Sequence, residues 1–104
     1  MDGETAELVA DIIQALATPS RIRILSALAQ GPRSVSELTA QLGMEQPAVS
    51  QQLRVLRDSG LVTGERRGRR VIYTLHDRHV AKLLRQALAH AEHVESQRAG
   101  TVAS

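Results

Sequence analysis

Apolar residues recur at helical spacing over Leu8, Val9, Ile12, Ile13 and Leu16, which predicts a first helix from about Thr5 to Ala17. Thr18 is an N-cap residue followed by Pro19 at the first helical position, so a second helix starts there. Ile22, Ile24, Leu25 and Leu28 carry it until Gly31-Pro32 stops it. Ser34-Val35-Ser36-Glu37 has the form of a capping box and opens a short third helix, with Leu38 and Leu42 inward and Gly43 at its end. A fourth helix starts near Gln46-Pro47 and runs to Asp58, with Val49, Leu53 and Leu56 as its inner face. The period then changes from helical to alternating. Leu61–Glu65 and Val71–Leu75 read as strands, and Arg66-Arg67-Gly68-Arg69-Arg70 reads as the hairpin tip between them. A last helix is predicted from about Asp77 to Glu95. The expected fold is mainly α with a small β-hairpin, in the order ααααββα: a winged helix-turn-helix.

Length and composition narrow the function. A chain of 104 residues has room for one domain, expected to span 1–104 with disordered tails at 1–4 and 97–104. Tyr73 is the only aromatic residue, which argues against recognition of single strands by base stacking. The absence of cysteine excludes disulfides, thiolate metal sites and thiol redox sensing. The net charge of +2 hides a polarity: Asp2, Glu4, Glu7 and Asp11 put −4 on residues 1–11, leaving +6 on the rest. A basic body suits a polyanion approached from one side. No apolar run is long enough for a membrane span or a signal peptide, so the expected compartment is the cytoplasm.

The start of the fourth helix carries Gln46, Ala48, Ser50, Gln51 and Gln52 away from its inner positions, with Arg54 further along. Small and amide side chains are what a recognition helix needs there, because glutamine can pair with adenine and serine can donate or accept. Any one of them could be an ordinary solvated residue; the cluster, placed after a helix-glycine-turn, points to double-stranded DNA. Arg66, Arg67, Arg69 and Arg70 crowd like charges into five residues. Such a tip can serve solubility alone, but phosphates would relieve the repulsion and add salt-dependent affinity.

These segments resemble a known family. Ala17-Thr18-Pro19-Ser20-Arg21-Ile22-Arg23-Ile24-Leu25 resembles the opening of the ArsR/SmtB repressors, residues 46–56 resemble their recognition helix, and Gly60-Leu61-Val62 with Arg66–Tyr73 resemble their wing. The likeness covers roughly residues 8 to 95. One departure is glutamine at 51 and 52, where the family often has histidine. The resemblance implies a bacterial repressor that binds DNA as a homodimer joined through its first and last helices.

It also implies a metal site. Asp77, His79, His90 and His93 match the Asp-x-His, ten residues, His-x-x-His pattern of the branch that senses zinc, cobalt or nickel on the last helix. His79 and His90 point nearly the same way on a helix, yet eleven residues at about 1.5 Å rise separate them by about 16 Å. One helix cannot close such a site, whereas an antiparallel partner helix can, giving two symmetric sites per dimer. One carboxylate and three imidazoles suit zinc. Nickel and cobalt sensors of this type tend to recruit tail ligands, and residues 1–10 and 94–104 contain no histidine, so zinc is the expected metal with cobalt or nickel as alternatives.

The expected function is a metal-responsive repressor whose apo dimer binds an inverted-repeat operator and whose metal-bound form releases it. A winged-helix repressor with no metal response is the alternative, and a metal carrier a weaker one. An enzyme is not expected: there is no HExxH and no nucleophile–base pair, and the four-ligand shell leaves no open coordination position.

Overall fold

The structure, a computed structural model, describes the backbone of residues 1–103 and the side chains of residues 1–99. Helix α1 (Gly3–Leu16) begins where Asp2 Oδ1 accepts from the Thr5 amide at 2.7 Å. Helix α2 (Pro19–Gln30) starts with Thr18 as N-cap and Pro19 in its first turn. Strand β1 (Arg33–Ser34) leads directly into helix α3 (Val35–Leu42) through the predicted capping box, in which Ser34 Oγ and the Glu37 carboxylate each accept a backbone N–H. Gly43 ends α3 in the left-handed region, at φ 66°. Helix α4 (Gln46–Asp58), strands β2 (Val62–Arg67) and β3 (Arg70–Leu75), and helix α5 (Arg78–Ala103) complete the chain.

Two features differ from the sequence expectation. The sheet has three antiparallel strands in the order β1-β3-β2, because Arg33 and Ser34 pair with Tyr73 and Ile72. A two-residue strand has no alternation to read, so only its partner reveals it. The hairpin is also longer than its apolar run: Arg66, Arg67 and Arg70 lie in the ladder, and the turn narrows to Gly68-Arg69 with Gly68 at φ 64°. Within β2, Gly64 faces Tyr73, and a Cβ there would lie 3.0 Å from the Tyr73 ring and from Val71.

Helical backbone begins at Gly3 and extends to Ala103; Ser104, in the second expected tail, lies outside the described residues.

The core lies between α2, α3, α4 and the sheet. Ile24, Leu25, Leu38, Val49, Leu53, Leu56 and Val62 are fully buried. At about 1.5–3 kcal/mol for each such side chain, this cluster fixes how α4 sits on the body. Helices α1 and α5 contribute less to it. Ala15 and Val80 are buried and Ile12, Leu16 and Leu84 are partly so, but Leu8, Val9, Ile13, Leu83 and Leu88 are exposed.

Candidate nucleic-acid interface and metal ligands

Helix α4 separates its two faces cleanly. Val49, Leu53 and Leu56 are buried, while Gln46, Ala48, Ser50, Gln51 and Arg54 are all exposed. Pro47, Ser50, Gln51 and Arg54 line a shallow groove along the outer face. Gln52 is placed differently. It is half-buried, and its Oε1 accepts from Arg21 Nε of α2 at 2.7 Å.

The wing arginines also divide. Arg66, Arg67, Arg69 and Arg70 are all exposed, but their partners differ. Arg66 Nε donates to the Gly68 carbonyl at 3.3 Å, Arg67 pairs with Glu65 at 3.4 Å, and Arg69 has no partner among the described residues. Arg70 turns back onto α3: its Nη2 donates to Ser34 Oγ at 2.8 Å and to Glu37 Oε1 at 2.9 Å. Hydrogen bonds from the Ser34 backbone and side chain hold the Glu37 carboxyl below its ordinary value; burial opposes this, and the charges of Arg70 and Arg33 reinforce it. The capping box was legible from spacing alone, but nothing local marked Arg70 as the side chain that docks on it.

The four metal candidates fall into two pairs. At the start of α5, the Asp77 carboxylate accepts from the His79 amide at 2.9 Å and lies 3.3 Å from His79 Nδ1. Desolvation pushes the Asp77 carboxyl up, but hydrogen bonds from His79, the His79 charge and the Val80 amide together outweigh it and leave the group lowered. His90 and His93, one turn apart further along α5, are exposed. Among the described residues no three histidine, aspartate or glutamate side chains gather closely enough to hold a metal. Each pair supplies accessible oxygen or nitrogen donors of the kind zinc takes, so the donor set fits a divalent cation while one chain alone leaves it incomplete. His76, outside the pattern, is exposed and donates its amide to the Leu61 carbonyl.

A recognition helix over a buried inner face, a basic hairpin beside it and a helix-turn-helix core define a winged helix-turn-helix DNA-binding domain. Residues 18–63 match the arsR family of bacterial regulatory proteins. The chain is 54% identical over 94 residues to the HTH-type transcriptional regulator NmtR of Mycobacterium tuberculosis, covering 90% of this chain and 78% of that protein. The solution structure of apo-NmtR superposes with a TM-score of 0.77 over 89% of this chain and 78% of that one. The HTH-type transcriptional repressor SmtB of Mycobacterium tuberculosis is 44% identical over 85% of this chain and 65% of its own length. A homodimeric winged helix-turn-helix DNA-binding domain from Mycobacterium bovis, 34% identical, matches with a TM-score of 0.79 over 88% of this chain and 87% of that chain. The chain belongs to the ArsR family of transcriptional regulators and is a DNA-binding protein, not an enzyme. The described residues include no helix long and apolar enough to cross a membrane.

Proposed function

We propose that this protein is a cytoplasmic, metal-responsive transcriptional repressor that works as a homodimer. The observation that carries the reading is the split of the four donors into an Asp77/His79 pair at the start of one long helix and a His90/His93 pair further along it, with no cluster of three among the described residues. Exposed Leu8, Val9, Ile13, Leu83 and Leu88 leave α1 and α5 with apolar surface that a second copy would cover, and a related domain is homodimeric. Antiparallel α5 helices would set Asp77 and His79 of one protomer against His90 and His93 of the partner subunit, and by symmetry the reverse. When bound there, zinc supplies a cross-link between the two helices; cobalt or nickel could supply the same link.

Ser50 and Gln51, with Gln46, Ala48 and Arg54 around them, face outward to read base edges in the major groove. Arg66, Arg67 and Arg69 reach phosphates beside it. Two such faces fit an inverted-repeat operator whose half-sites lie about one helical turn apart. A dimer held with a different spacing between its α4 helices fits that operator less well and releases it.

The test is to titrate purified protein with zinc, cobalt and nickel in turn while measuring affinity for a duplex that the apo protein selects from a random-sequence pool. Weaker binding on adding metal supports the reading. Selective DNA binding that no metal alters leaves a winged-helix repressor without metal response. Metal binding without sequence-selective DNA binding leaves a carrier.

A further inference from the structure

We propose that Arg21 is a positioning residue for DNA reading, which holds Gln52 of α4 inward so that Gln52 supports the reading face and does not read a base. The inference rests on α4 being the recognition helix.

Three observations carry it. Gln52 lies three residues after Val49 and four before Leu56, both fully buried, so on a helix it borders the inner face and not the groove lined by Ser50, Gln51 and Arg54. Its amide oxygen accepts from Arg21 Nε at 2.7 Å in a half-buried setting. A guanidinium has donors only, so it is the oxygen of the amide, and not the NH2, that is turned toward Arg21. Bidentate pairing with adenine needs the oxygen and the nitrogen presented together to one base edge, and a glutamine held this way has its oxygen turned to α2 instead of the groove.

Arg21 also reaches the end of α1. Its Nη1 lies 3.5 Å from the carbonyls of Gln14 and Ala15 in the last turn of that helix, where the Gln14 carbonyl also accepts from the Ala17 amide at 3.1 Å. One side chain therefore touches α1, belongs to α2 and grips α4. Since α1 carries the exposed Leu8, Val9 and Ile13, Arg21 ties the reading helix to the helix with the open apolar face. A partner that shifts α1 shifts the anchor of Gln52 with it.

The experiment compares Arg21→Met, Gln52→Met, the double variant and Gln52→Glu with wild type. Each is allowed to select duplexes from a random-sequence pool, and its affinity is measured for the duplex that wild type selects. Arg21→Met and Gln52→Met should each weaken binding by about tenfold, the double variant should lose no more than either single one, and all should keep the wild-type base preferences. Gln52→Glu keeps an oxygen towards Arg21 and should also keep those preferences. A Gln52→Glu protein that selects cytosine at one position overturns the inference, because glutamate accepts from cytosine when it faces the bases. So do losses that multiply in the double variant, or singles that bind as wild type does. The Gln52 variants decide the question even if Arg21→Met fails to fold. If Ser50→Ala and Gln51→Ala leave selection unchanged, the recognition-helix reading falls and this inference with it; changed selection there with an unaffected Gln52→Met overturns this inference alone.

Discussion

Arg70 Nη2 lies 2.9 Å from Glu37 Oε1, so the wing is pinned to the first turn of α3 by a side chain 33 residues further along the chain. The same carboxylate closes the capping box on Ser34, and its folded pKa is lowered, chiefly by the hydrogen bonds from Ser34. A lowered carboxyl pKa stabilises the fold fully above the ordinary glutamate value and loses that contribution as pH falls through the folded value. Glu37→Gln keeps an acceptor in place and removes the charge. Wild type should therefore be more stable than Glu37→Gln at neutral pH, and the gap should close in acid, below about pH 4. Denaturant unfolding at both pH values measures this; a gap of equal size in acid places its origin elsewhere.

Arg66, Arg67 and Arg69 project from the wing, whereas Arg70 is engaged by Ser34 and Glu37. Replacing the first three with alanine should weaken binding about equally on selected and random duplexes. It should also lower the slope of log affinity against log salt by about 0.9 for each phosphate that is no longer neutralised. Arg70→Ala should lower thermal stability and change that slope less. Filter binding across a salt series distinguishes them: an equal slope change for Arg70→Ala means its ion pair opens on DNA.

Ser50 and Gln51 are exposed on the grooved face of α4. Ser50→Ala and Gln51→Ala should each cost roughly 1–3 kcal/mol on the selected duplex and little on random DNA. Equal losses on both would assign these side chains to the backbone.

The shared metal site makes a stoichiometric prediction. Take an isolated heterodimer of one His79→Ala chain and one His90→Ala chain. One of its two sites lacks both altered ligands and the other keeps its full set, so it should bind one metal with wild-type affinity. Calorimetry of the heterodimer and both mutant homodimers tests this. Binding no better than the homodimers means that the ligands do not come from opposite chains.

Coupling between metal and DNA is reciprocal. His90 and His93 lie far along α5 from the reading residues on α4, so His90→Ala/His93→Ala should leave apo affinity nearly unchanged while abolishing release by zinc. In wild type, DNA should weaken zinc binding by the same factor that zinc weakens DNA binding. Release of the double variant by zinc, equal to that of wild type, would falsify α5 as the sensing element.

Helix existence, order and caps were legible in the sequence because they depend on residues a few positions apart. Apolar periodicity marked α1 to α5, and Thr18, Ser34 and Gly43 cap their helices as their residue types require. The buried face of α4 was legible for the same reason, since Val49, Leu53 and Leu56 recur at the helical period. The charge of the wing and the spacing of Asp77, His79, His90 and His93 were equally plain. The tertiary structure decided what each side chain meets. Strand β1 exists only through its pairing with Tyr73 and Ile72. Gln52 faces Arg21 across 31 positions of sequence, and Arg70 faces Glu37 across 33, which divides a uniform-looking set of polar residues into those the fold has claimed and those left facing outward. The exposure of Leu8, Val9, Ile13, Leu83 and Leu88 belongs with these, since periodicity identifies an apolar stripe but not whether one chain has enough core to cover it. Local propensity acts over one helical turn, whereas hydrogen bonds and burial between distant segments form only when the whole chain has packed.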